Sequence, residues 1–210
     1  MIPVFLKGAV MGFSIAAPVG PIGVLCIQRT LSRGMINGFI SGLGAATADG
    51  FYGMVAAVGL SSLSSILINA QIPLRGCGGA FLVYLGIKAF RSGPHEVAAV
   101  ESDSESGMLF KAYLSTFALT ITNPMTIITF TAIFTGLGVG SSIGGIAKAS
   151  AMALGFFCGS SAWWLVLSSI SGFLRTKVKS TMMPIINKAS GIVIILFGLL
   201  SIVSLLFRPS

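Results

Sequence analysis

The chain has 210 residues, of which 54% are hydrophobic and only 9% are charged. Soluble domains are nearer to one quarter charged, so this composition excludes an ordinary soluble protein and predicts a single membrane domain over residues 1–210. The formal net charge is +8, but the basic residues stand singly or in short clusters between apolar runs, without interleaved aromatic residues. The sequence therefore predicts no nucleic-acid partner.

Six apolar segments follow one another along the chain, and most are long enough to cross about 30 Å of hydrocarbon. They run approximately over residues 4–27, 35–63, 74–90, 112–135, 146–172 and 189–207. A polar loop over about 92–109, with four of the five acidic residues, separates the first three segments from the last three. This pattern predicts an all-α polytopic membrane protein with six transmembrane helices.

The first segment contains the sequence "APVGPIG", which is predicted to break its helix. Proline has no amide hydrogen, so Pro18 should free the carbonyl of Ser14 and Pro21 that of Ala17, while Gly20 lowers the cost of bending. Unsatisfied backbone is tolerated at membrane depth only where protein buries it or water reaches it. A structural kink is the alternative to a transport site.

The second segment carries Asp49, the only charged residue between Arg33 and Arg75. A charged side chain within the membrane costs at least about 2.5 kcal/mol, and such residues usually mark ion paths, proton relays or substrate counter-charges. Gly42 and Ala46 lie on or beside the same side of the helix, so the carboxylate is predicted to face into the bundle. It would bind a proton or the ammonium group of a substrate, or else have a purely structural role.

The fourth segment repeats the pattern of the first, because "TNPMT" places another proline at the corresponding position. Pro124 should free the carbonyl of Thr120, and the amide of Asn123 needs partners that lipid does not offer. Thr122 and Thr126 share a face of this helix, although threonine hydroxyls commonly bond their own helix backbone. Matching breaks in two halves of a chain point to a transporter site.

The two halves align elsewhere as well. "FLKGAVMGFSIAAPVGPIG" aligns with "FKAYLSTFALTITNPMTII", and "GLGAATAD" aligns with "ALGFFCGS", which sets Ser160 opposite Asp49. Repeat 1 covers about 1–91 and repeat 2 about 110–210. Because each half has an odd number of helices, the sequence predicts two inverted three-helix repeats with broken helices 1 and 4.

Lysine and arginine predict the orientation of the chain in the membrane. Nine of them lie in or beside the loops after segments 1, 3 and 5, and four lie on the opposite side. The nine are Arg29, Arg33, Lys88, Arg91, Lys111, Arg175, Lys177, Lys179 and Lys188, and the four are Lys7, Arg75, Lys148 and Arg208. The acidic loop is thus predicted to be cytoplasmic, and both termini periplasmic.

A family resemblance rests on these same residues. "GFSIAAPVGPIGVLCIQRTLSRGMINGFISGLGAATADGFYG" resembles the first half of LysE-type translocators, "GGAFLVYLGIKAF" their third helix and "FALTITNPMTIITFTAIFTGLG" the start of their second half. One departure is that many members read P-G-P where this chain reads P-V-G-P. The resemblance implies a bacterial inner-membrane amino-acid exporter driven by the proton gradient. The functional positions that it implies are Pro18, Gly20, Pro21, Asp49, Asn123 and Pro124.

This interpretation assigns the chain no enzymatic activity, catalytic residue, metal site or cofactor. Its partners would be an amino acid or derivative, protons and membrane lipid, and a homodimer is left open. Two alternatives to an amino-acid exporter are a divalent-metal exporter and a membrane thiol oxidoreductase. A divalent-metal exporter would need more oxygen ligands than the single carboxylate of Asp49. A membrane thiol oxidoreductase would need a cysteine pair at the two breaks, where only Cys26 lies nearby.

Overall fold

The structure, a computed structural model, describes residues 1–58, 71–91, 105–123, 126, 129–130, 145–178 and 182–206. Within these ranges it is all-helical and contains seven α-helices. They are α1 (Ile2–Ala16), α2 (Pro21–Arg33), α3 (Met35–Val58), α4 (Gln71–Arg91), α5 (Glu105–Thr122), α6 (Ile146–Arg175) and α7 (Met183–Leu206).

Several helix bounds differ from the apolar segments. The first segment forms two helices, α1 and α2, which meet at a bend of 80° where the two prolines predict a break. Helix α5 begins inside the expected polar loop, and α7 begins several residues before its apolar segment. Hydropathy marks where lipid begins, whereas a helix continues beyond that point until its backbone hydrogen bonds are interrupted. Residues 59–70 and most of those after Asn123 in the fourth segment lie outside the described ranges.

Two of the described helices, α6 and α7, are each long and apolar enough to span a membrane. The bent pair formed by α1 and α2 meets the same criteria if it is taken as one span, which gives three candidate spans. The count of six spans stays a prediction.

Polar residues are buried and large apolar residues are exposed in this fold. Asp49 is only 4% exposed, whereas Phe173 is 65% and Leu200 64% exposed. Other buried polar side chains are Gln28, Thr30, Ser41, Thr116, Thr120, Ser160, Ser168, Ser171 and Asn187. This distribution suits a protein whose outer surface is solvated by lipid, where polar groups find partners only inside the bundle.

Glycine allows the helix backbones to touch. A Cβ atom added at Gly12 of α1 would overlap the carbonyl oxygen of Phe156 in α6, and one added at Gly159 would overlap that of Ala9. Gly8 meets Met152 and the later Gly12 meets the later Phe156, so the contacts advance in the same direction along both helices, and α1 and α6 are parallel. Close backbone approach of this kind stabilises helix pairs in lipid, where there is no hydrophobic force between helices.

The other main helix pairs are defined in the same way. Helices α3 and α6 are antiparallel, because Gly42 meets Trp164 whereas the later Gly53 meets the earlier Phe156. Helices α4 and α7 are also antiparallel, with contacts between Gly79 and Gly198 and between Gly86 and Gly191. Helices α3 and α5 are parallel, since Ser41 contacts Thr116 and the later Tyr52 contacts the later Ile121.

We expect Gly12→Ala to destabilise the protein, because the added methyl group would force α1 away from the Phe156 carbonyl. Overpacking of this kind costs about 1–3 kcal/mol, or roughly 2–12 °C in the thermal midpoint of a chain of this size. Thermal unfolding of the purified protein in detergent measures the effect.

The matched control is Gly76→Ala in α4. A Cβ atom there would meet only the Leu205 side chain, at 3.8 Å. Alanine is the better helix former, so this variant should be at least as stable as the parent protein. Equal destabilisation by the two substitutions would contradict the proposed packing of α1 on α6.

Candidate functional site

The break between α1 and α2 lies at the prolines. Helix α1 ends at Ala16, the amide of Gly20 donates to the Pro18 carbonyl at 3.0 Å, and α2 starts at Pro21. Pro18 is exposed, while Gly20 and Pro21 are partly buried. No side chain of the described residues caps the first turn of α2, so within this part of the chain its first amide groups have no side-chain acceptor.

The carboxylate of Asp49 lies where α3 and α6 cross. The Ser160 hydroxyl of α6 donates to Asp49 Oδ2 at 2.7 Å, and Trp164 Nε1 donates to Ser160 Oγ at 3.1 Å. The indole thus fixes the hydroxyl, which uses its only proton on the carboxylate. Among the described residues no acceptor or donor meets Oδ1, and no basic side chain forms an ion pair with the carboxylate.

Tyr52 joins the helix of Asp49 to the end of α5. It lies one turn after Asp49, and its hydroxyl donates to the Ile121 carbonyl at 2.6 Å. That carbonyl belongs to the last turn of α5, where the chain leaves the helix before Pro124. The side chain of Tyr52 therefore satisfies a backbone oxygen that the helix end leaves free.

The break in the first segment and the surroundings of Asp49 share one core cluster. It contains Ala16 from the end of α1, Ile22 from the start of α2, Ala45 from α3, Leu119 from α5 and Trp164 from α6. The structure therefore brings together the first break, the last turn of α5 and the helix crossing that holds Asp49.

The residues predicted in the fourth segment are placed in part. The Thr122 hydroxyl donates to the Ala118 carbonyl of its own helix at 2.7 Å, which is the structural alternative for this side chain. Asn123 is partly buried directly after α5, and its backbone N–H donates to the Thr120 carbonyl at 3.3 Å. Thr126 is helical and partly buried, and Pro124 lies outside the described residues.

Two residues of this site were not identified from the sequence. They are Trp164 and Tyr52, to which the sequence analysis assigns no role. The helical spacing carried a signal for both, since Tyr52 lies three residues after Asp49 and Trp164 four residues after Ser160. Side chains at these spacings lie on the same helix face as the residue that they follow.

We expect a double variant with Asp49→Cys and Ser160→Cys to form a disulfide across α3 and α6 once the three native cysteines are replaced by alanine. The two side chains contact each other, and a disulfide requires the Cβ atoms to lie within about 3.5–4.5 Å. Oxidation followed by protease cleavage between the halves should leave them linked on a non-reducing gel.

The paired variants Thr47→Cys and Ser160→Cys serve as the control. The Thr47 hydroxyl accepts from Tyr113 of α5 at 2.9 Å, so this side chain faces a different helix from α6. Linking of the control pair, or none in the test pair, would contradict the crossing of α3 and α6 at Asp49.

Comparison with known proteins agrees with the family resemblance. The sequence profile described as "LysE type translocator" matches residues 13–205. The chain is 27% identical over 202 residues to a Bacillus subtilis protein named "Putative amino acid efflux protein YcgF", covering 93% of each chain. It is 26% identical over 186 residues to the "Chemotactic transduction protein ChpE" of Pseudomonas aeruginosa, covering 83% of this chain and 85% of that protein. No solved structure gives a significant match.

The match to the family profile covers most of the chain and both of its halves. The family resemblance is thereby confirmed. The chain belongs to the LysE-type translocator family, whose members are multi-pass membrane transporters and not enzymes.

Proposed function

We propose that this protein exports amino acids or amino-acid derivatives across the bacterial inner membrane by alternating access, driven by the proton gradient. The observation that carries the proposal is Asp49, a buried carboxylate with one oxygen fixed by Ser160 and the other without a partner among the described residues. The free oxygen could bind a proton or a substrate ammonium group. The name of the Bacillus subtilis relative supports amino-acid efflux.

The arrangement of the helices supports two inverted three-helix repeats. The first repeat would consist of α1 with α2, α3 and α4, and the second of α5, α6 and α7. In these repeats α1 corresponds to α5, α3 to α6 and α4 to α7. The parallel pair of α1 and α6 therefore corresponds to the parallel pair of α5 and α3, and both pairs have close backbone contacts. The antiparallel pairs, α3 with α6 and α4 with α7, are each converted into themselves.

The contact between Asp49 and Ser160 adds to this argument. The alignment of the two halves makes these residues equivalent, and they are hydrogen-bonded to each other. Two equivalent residues can touch only if they lie next to the axis that relates the repeats. Asp49 would then lie close to the repeat interface, where inverted-repeat transporters bind their substrates and coupling ions.

The same directions fit six spans with both termini on one side. The bent pair of α1 and α2 would cross first, followed by α3 and α4, and each repeat would contribute three crossings. Helices that cross in the same direction would be α1 and α6, or α3 and α5, as their parallel packing requires. With the positive charges placed in the cytoplasm, both termini would be periplasmic.

The contacts also suggest which parts would move. Helices α4 and α7 pack extensively on each other but meet the other described helices mainly through α2 and α5. Helices α1, α3, α5 and α6 are joined by close backbone contacts and by the Asp49 network. We infer that alternating access moves the pair of α4 and α7 against this four-helix core, and that α2 hinges at the first break.

A zwitterionic substrate suits the site at both of its ends. Asp49 Oδ1 offers a negative partner for the ammonium group. The first turn of α2 has free amide groups and the positive end of the helix dipole, which favour a carboxylate. Pro18, Gly20 and Pro21 would give the chain this shape, and Asn123 and Pro124 would form the corresponding break in the second repeat.

We expect cells that express the protein and are loaded with dipeptides to export one or more amino acids, and Asp49→Asn to abolish this export. The substitution keeps the size of the side chain but removes the group that can carry a negative charge or an acidic proton. Insertion should persist, since the change removes an intramembrane charge. Amino-acid analysis of the medium measures export.

Ser169→Ala is the matched control, since this α6 hydroxyl bonds only the Leu165 carbonyl of its own helix. The two roles of Asp49 separate in vesicles, where a coupling defect leaves passive exchange intact and a substrate-binding defect removes it. Normal proton-driven export by Asp49→Asn would make the residue structural. Absence of export by the parent protein for every amino acid would refute the proposed function.

We expect a reporter that is active only in the periplasm to be silent when fused after Glu101 and active when fused after Ser210. The physical reason is the nine-to-four distribution of lysine and arginine, which holds the acidic loop in the cytoplasm. A cytoplasm-only reporter at the same two positions provides the control. The opposite pattern in both assays would invert the orientation.

A further inference from the structure

Arg29 of α2 lies in a polar cluster between three helices. Its Nη1 donates to Ser41 Oγ of α3 and to the Ala112 carbonyl of α5, both at 2.9 Å, and its Nη2 donates to Ser115 Oγ at 2.8 Å. In the sequence this residue indicates only the topology. In the structure its guanidinium is partly buried and lies against the first half of α3 and the middle of α5.

Every acceptor in this cluster is neutral. The Ser41 hydroxyl uses its own proton on the Asn37 carbonyl at 2.8 Å, and the Ser115 hydroxyl uses its proton on the Ala112 carbonyl at 2.9 Å. Both hydroxyls therefore present lone pairs to the guanidinium and hold it in a fixed orientation. Among the described side chains no carboxylate forms an ion pair with Arg29, so its positive charge is oriented but not neutralised there.

The hydrogen bonds leave one edge of the guanidinium available. The Ala112 carbonyl oxygen and Ser115 Oγ lie 2.9 Å apart, and one accepts from Nη1 while the other accepts from Nη2, which fits the end of the fork where Nη1 and Nη2 are adjacent. Ser41 accepts the remaining Nη1 hydrogen. The side edge, with Nε–H and the second Nη2–H, has no acceptor among the described residues. Two parallel N–H groups of this kind match the two oxygens of a carboxylate.

We infer that Arg29 is a binding site for the carboxylate of the transported substrate, reached from the side of the membrane on which α2 ends. This inference rests on the proposed function, and it restricts the substrate to molecules that carry a carboxylate. A purely structural tie between α2, α3 and α5 would need hydrogen-bond donors, but it would not need a permanent positive charge.

This site is separate from that of Asp49. Ser41, which contacts Arg29, precedes Asp49 by eight residues of the same helix, which is about 12 Å along the axis. A small amino acid cannot span both positions at once. Arg29 therefore receives the substrate carboxylate first, on the cytoplasmic side in the proposed orientation, and the substrate then moves to the level of Asp49 and the first break.

Protection from phenylglyoxal, a reagent for arginine, tests the site directly. The purified protein in phosphatidylcholine vesicles is treated alone, with a mixture of the neutral standard amino acids and lysine, and with the α-carboxamides of the same amino acids. Because only the unoccupied guanidinium can react, amino acids at about 10 to 100 times their dissociation constant should slow modification of Arg29 by about 10- to 100-fold. The carboxamides should not slow it.

Arg33 is the internal control, because it lies on the same helix, is exposed and should react at one rate throughout. Peptide mass spectrometry separates the two sites. The inference is overturned if Arg29 does not react under any condition, or if acids and amides affect it equally. It is also overturned if adding phosphatidylglycerol alone protects Arg29, since the ligand would then be a lipid headgroup.

Export kinetics supply the second measurement. Arg29→Gln should raise the internal amino-acid concentration that gives half-maximal export by about 10- to 100-fold, and Arg29→Lys should raise it less, because lysine keeps the charge but not the fork. Arg33→Gln should leave it unchanged. If Arg29→Gln lowers only the amount of inserted protein, Arg29 is a structural tie. Protection of Arg29 without export would support the Arg29 site and refute the export function. Export without protection of Arg29 would support the export function and refute the Arg29 site.

Discussion

Direct contact between helix backbones is the interaction on which the rest of this structure depends. Lipid is as apolar as leucine, so helices in a membrane gain little by hiding leucine from it. They associate where small residues let main chains meet, as at Gly12 and Gly159, or let a large side chain lie directly on the facing backbone, as Trp164 lies on Gly42 and Phe156 on Gly53. These contacts bring α6 against both α1 and α3, and they fix the depth at which α3 and α6 cross.

The polar interior follows from that close approach. Asp49 and Ser160 are hydrogen-bonded at 2.7 Å where the glycines of α3 leave room for the Trp164 and Phe156 side chains of α6. The hydrogen bonds from Trp164 to Ser160 and from Ser160 to Asp49 thereby hold the carboxylate from the side of α6. The Tyr52 hydroxyl fixes the other neighbour, the end of α5. A buried carboxylate in lipid is tolerable where such partners are already in place.

Features that depend on local chemistry could be predicted from the sequence. Pro18 and Pro21 interrupt a helix by their covalent structure alone, and the spacing of Gly42 and Ala46 indicates which way Asp49 faces. The contacts of Tyr52 and Arg29 could not be predicted in this way. The partner of Tyr52 is a backbone carbonyl, and the partners of Arg29 are neutral groups on distant segments. Neither kind of partner leaves a pattern in the sequence. The early starts of α5 and α7 were missed because hydropathy follows lipid and not helix formation.

The parallel packing of α1 on α6 has a consequence for how the protein is made. Among the described residues, the glycines of α1 find their partners only in the first half of α6, which is synthesised about 144 residues later in the chain. At a translation rate of about 5–20 residues per second, this gap lasts roughly 7–29 s. During that time a bent and incompletely packed first helix must be kept from associating with other proteins in the membrane. Biogenesis therefore depends on the insertion machinery retaining the amino-terminal helix until the last third of the chain arrives.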